Sequence, residues 1–117
     1  MKIWTSLKVS IVSLALAAVP SASFATPTYS GLNTITAVVA FQSGNVLFTI
    51  GSAPNSPWST CNVNHQFVIN TSTASGAALY QNIIRAEQDA KHVYVVGKGT
   101  CTLISGAEDV DFVQIDP

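Results

Sequence analysis

The two cysteines constrain this chain more than any other feature. Cys61 and Cys101 are its only cysteines, with 39 residues between them. An even count in a small chain outside the cytosol reads as a structural disulfide. Closing a loop of that length is worth about 4 kcal/mol in the chain-entropy picture. A redox or metal pair would need other spacing. There is no Cys-x-x-Cys, and His65 and His92 are not placed as ligands to go with the thiols. The chain is therefore expected to be a small domain held by one covalent staple, with no metal and no cofactor.

The N-terminus says where such a bond could form. Lys2 and Lys8 flank an amphiphilic start, and Val9 to Val19 is an apolar run of eleven residues. A membrane span needs about 20, so this segment does not read as one. Pro20 breaks the run, and Ser23-Phe24-Ala25 places small residues where a signal peptidase reads. Residues 1–25 are expected to be a signal peptide and 26–117 one domain, secreted or periplasmic. That domain has three basic and six acidic side chains, a net charge of −3. So few cations leave no footprint for nucleic acid or anionic lipid. From Thr26 to Ile84 runs a stretch of 59 residues without Asp, Glu, Lys or Arg. Ser, Thr, Asn and Gln must keep it soluble.

Periodicity supplies the elements. Leu32 to Gln42 reads as a strand with Ile35, Ala37, Val39 and Phe41 inward. Gly44-Asn45 reads as a two-residue turn into a return strand, Val46 to Ile50. That turn pairs Phe41 with Phe48 and Val39 with Ile50. His65 to Asn70 is a third strand. Thr71-Ser72-Thr73 caps a helix over Ala74 to Ala90, with Gly76, Leu79, Tyr80, Ile83, Ile84, Ala86 and Ala90 on one stripe. Lys91 to Lys98 and Asp109 to Ile115 are two further strands, and Thr26 to Ser30 is a flexible lead-in. The sum is an α+β, mainly β domain: a five-stranded, OB-like, partly open antiparallel barrel with one helix between strands 3 and 4, the alternative being an open antiparallel sheet with the helix across one face.

Candidate chemistry is sparse. No Gly-x-Ser-x-Gly elbow and no suggestive carboxylate pair is present, so the chain is expected not to be an enzyme. Trp58 lies in a polar, proline-broken loop with Asn62, Asn64 and His65 close by. A flat apolar ring among neutral hydrogen-bonding groups suits a glycan. The same tryptophan would equally cover the disulfide and cap the core. Glu108, Asp109 and Asp111 cluster, and are expected to guard an edge strand against pairing. Val38, Ala40, Leu47, Val68 and Val96 fall on the outward alternation, so either a loop or the helix covers them or they point to a protein partner or a homo-oligomer.

Ser43 to Val46, Ile69 to Gly76, Gly97 to Cys101 and Glu108 to Val110 resemble segments shared by small secreted bacterial proteins of unknown function. The element order is similar to the OB-fold B subunits of bacterial AB-type toxins. That likeness implies a disulfide-stapled, ring-forming, glycan-binding module, though no sugar-contact motif of theirs can be placed on this sequence.

Overall fold

The computed structural model describes residues 26–117, and the expected signal peptide lies outside them. The elements are β1 (Tyr29–Asn33), β2 (Ile35–Ala40), β3 (Asn45–Ile50), β4 (Gln66–Asn70), α1 (Ala74–Gln88), β5 (Val93–Gly97) and β6 (Ala107–Ile115). They form one sheet in the order β1-β5-β6-β4-β3-β2. Only Thr34 separates β1 from β2, yet these strands occupy opposite ends of that order. The sheet therefore has to curl until its ends meet, which makes it a half-barrel.

Three features correct the expected architecture. There are six strands rather than five, and the helix follows the fourth strand instead of lying between the third and fourth. The sheet is also not wholly antiparallel, because β4 and β6 run parallel over Gln66–Val68 and Ala107–Asp109. Asn33 accounts for the extra strand. Its buried carboxamide accepts from the Ser52 and Thr34 N–H groups at 3.0 and 3.1 Å. It donates to the Ser30 and Ser52 carbonyls at 3.3 and 3.0 Å. A side chain that holds this much backbone competes with the ladder and divides the ribbon. Before it the chain pairs with β5, and after it with β3.

The hairpin exists, but its register differs from the expected one. Phe48 faces Val38, not Phe41, and Val46 faces Ala40. The turn is a three-residue loop, Gln42 to Gly44, closed by Phe41 N–H to the Asn45 carbonyl at 2.8 Å. Gly44 sits at φ 96°, the left-handed position such loops require. The register moves by three residues, an odd number, so β2 turns over. Val38 packs against the core, while Val39 and Phe41 are 48% and 46% exposed. Ile35 stays buried because a bulge between it and Ala37 reverses the alternation.

The core lies inside the curl. Val46 and Phe48, Phe67 and Ile69, Val93 and Val95, and Val110 and Val113 come from β3, β4, β5 and β6. The Phe48 and Phe67 rings stack at 5.5 Å. Helix α1 lies against β2, β4 and β6 and adds Ile83 and Ala86. Its cap is as expected: the Thr73 hydroxyl accepts from the Gly76 N–H at 3.0 Å. Gly76 rests directly on β4, for a Cβ there would stand 1.7 Å from the Asn70 carbonyl oxygen.

The helix ends with Ala90 at φ 51°. The Ala90 N–H reaches the Glu87 carbonyl and the Lys91 N–H reaches that of Ala86 at 2.9 Å, the pairing in which glycine is the favoured left-handed residue. Ala90→Gly is therefore expected to raise the unfolding free energy by about 1 kcal/mol in a urea titration.

Candidate functional site

The four residues singled out in the Trp58 loop do not form one site. The Trp58 indole is half-buried, packed at 5.7 Å and 44° on Phe67. The exposed His65 ring lies flat on it at 4.5 Å and 6°. The two rings make a plate whose inner side is core and whose outer side carries an imidazole. Asn62 turns the other way. It is buried, its Oδ1 accepts from the Gln66 N–H at 3.0 Å, and its Nδ2 reaches Glu108 at 3.3 Å. Asn64 is exposed and is held through its N–H to the Gly106 carbonyl at 3.0 Å.

The acids behave differently from expectation. β6 lies between β5 and β4, so Glu108 and Asp109 guard no edge. Both are buried. Glu108 Oε2 accepts from the Thr28 and Gly99 N–H groups, each at 3.0 Å. Its Oε1 accepts from the Thr28 hydroxyl and from Asn62. Four donors from three separate segments thus converge on one carboxylate. Thr28 is wholly buried by this, so the N-terminal stretch is anchored and not a loose lead-in. Gly97 makes room: a Cβ there would lie 1.9 Å from Oε2. The Thr28 hydroxyl in turn accepts from Ser59 N–H at 2.8 Å, next to Cys61. Cys61 and Cys101 are joined, with Cα atoms 6.0 Å apart. The bond points to an oxidising compartment.

Asp109 organises the Thr100–Leu103 loop that precedes it. Its carboxylate accepts from the Thr100 and Thr102 hydroxyls at 2.8 and 2.7 Å and from the Thr102 and Leu103 N–H groups. Burial works to raise its pKa, but these four donor groups outweigh burial and hold the carboxyl below its usual value. The depressed group stabilises the fold fully above the unfolded value of about 3.9, and that contribution is lost as the pH falls toward the folded value. Asp109→Asn is expected to flatten the fall in urea midpoint between about pH 5 and about pH 3 relative to the parent protein.

Two surface features remain; sequence periodicity indicated one residue of the first, Val96, and did not point to the second. The first is the outer face of β1, β5 and β6. Pairing places Tyr29, Val96 and Phe112 in one row and Leu32, Tyr94 and Gln114 in the next. Tyr29, Leu32 and Phe112 are 49%, 49% and 45% exposed. Of the outward residues expected there, only Val96 belongs to this patch. Val68 is wholly buried and Val38 packs on the core.

The second is a cleft of about 270 Å³ between the first turns of α1 and the Lys98–Leu103 segment. It opens where β4 and β6 separate beyond their last registered pair, Val68 and Asp109. Among the described residues, no three His, Cys, Asp or Glu side chains gather as a metal site, and no helix is long and apolar enough to cross a membrane.

Compared with known protein families, curated proteins and solved structures, the chain matches none of them.

Proposed function

We propose that the chain is a secreted or periplasmic, non-enzymatic binding module on an OB-like barrel, and that it works as a homo-oligomer. Counting the β1–β2 ribbon as one bent strand leaves five strands with that ribbon at both ends of the order, which supports the barrel reading. The observation that carries the oligomer is the patch of Tyr29, Leu32, Tyr94, Val96 and Phe112 on three adjacent strands. A small monomer seldom shows water so continuous an apolar face. A second copy is the occupant that suits it, since apolar rows need no charge matching and Gln114 and the two tyrosine hydroxyls can bond across a two-fold axis. The non-enzymatic reading is supported by Glu108 and Asp109, whose oxygens are already taken by structural donors.

Phe112→Lys and Tyr94→Lys test this by sedimentation velocity. Each should leave the thermal midpoint within a few degrees of the parent and reduce the assembly to single chains. Unchanged assembly in both variants would refute the interface. A second reading, a neutral glycan on the oligomer, is favoured by the Trp58–His65 plate with exposed Asn64 beside it. His65→Ala should then abolish binding on a glycan array without unfolding the protein. If the parent protein binds no glycan, that reading fails.

A further inference from the structure

The cleft between α1 and the Lys98–Leu103 segment is lined from β4 by Val68, Ile69 and Asn70 and from β6 by Asp109 and Val110. Leu79 and Leu103 give it an accessible aliphatic lining over the buried Val68 and Val110, and no aromatic ring lines it. A sugar or nucleobase would find nothing there to stack on. Two charged side chains border it, Lys98 and Asp109. The Asp109 carboxylate keeps its charge but its oxygens are filled by Thr100, Thr102 and Leu103, so the group left free to bond a ligand is the exposed ammonium of Lys98.

We propose that this cleft binds a small amphipathic acid, an unbranched aliphatic chain ending in one carboxylate, with the chain against Leu79 and Leu103 and the carboxylate on Lys98. At about 270 Å³ the cleft takes a small ligand. Medium-chain carboxylates match that size. The Cys61–Cys101 bond ties the Lys98–Leu103 segment, through Cys101, to the loop carrying Trp58 and so holds the wall carrying Lys98.

Octanoate is the probe, added to the mature disulfide-bonded protein and followed by amide NMR shifts and calorimetry. Saturable shifts confined to Val68–Leu79, Lys98–Leu103 and Asp109–Val110 are expected. Lys98→Gln, a change at an exposed position, should weaken binding at least tenfold, and octanol should bind correspondingly more weakly than octanoate. Leu79→Trp should fill the cleft and remove the shifts. No saturable shift up to millimolar octanoate would overturn the proposal. So would shifts that map to Tyr29, Tyr94 and Phe112, which would mean adsorption on the sheet face. Equal binding of octanol and octanoate, unaffected by Lys98→Gln, would overturn the role of the carboxylate.

Discussion

Glu108→Ala is expected to lower the unfolding free energy by about 4 kcal/mol, the largest loss from any single polar substitution in this fold. The carboxylate receives the Thr28 and Gly99 N–H groups on one oxygen and the Thr28 hydroxyl and Asn62 amide on the other. Each buried donor left without a partner costs about 1–3 kcal/mol, and relaxation and water entry recover part of the total. A domain of this size has about 5–14 kcal/mol in all, so the variant should sit near its folding limit. Glu108→Gln separates shape from chemistry. A carboxylate offers two acceptor-only oxygens, and an amide offers one and turns its NH₂ toward the remaining donors. The glutamine variant should lose about 2 kcal/mol. Urea titrations check both values, and a loss below about 1 kcal/mol for Glu108→Ala would show that the convergence is not what anchors Thr28.

Replacing both Cys61 and Cys101 by serine is expected to cost about 4 kcal/mol, the loop-closure entropy returned to the unfolded chain. The bond and the Glu108 cluster hold the same strands of chain. Ser59 donates to Thr28 and to the Gly99 carbonyl, and Cys61 lies two residues further on. Sites that share segments do not add independently. The serine variant combined with Glu108→Ala should therefore lose less than the sum of the two, provided the protein still folds enough to be measured. Reduction of the parent protein, followed by the same titration, provides the comparison without mutation.

What could be read from the residues was local or covalent. The cysteine pair needed only an even count, and the helix cap needed only Thr73 three residues before Gly76. The hairpin register was different. Val38, Val39, Ala40 and Phe41 are all apolar, so either phase of β2 satisfies the alternation. The choice was made by the turn, where a three-residue loop with left-handed Gly44 prevailed over Gly44-Asn45. The break at Thr34 depends on Asn33 reaching Ser52, and the Glu108 cluster joins residues 80 positions apart. Neither leaves a periodic trace. The sheet-face patch was hidden for a related reason: Tyr29 and Leu32 share it through an irregular β1 register.

The mass of the mature wild-type protein in solution, by light scattering across a concentration series, tests the working surface most directly. A whole-number multiple of the single-chain mass, persisting at micromolar concentration and lost in Phe112→Lys, is the predicted result. A single-chain mass throughout the series would contradict the account.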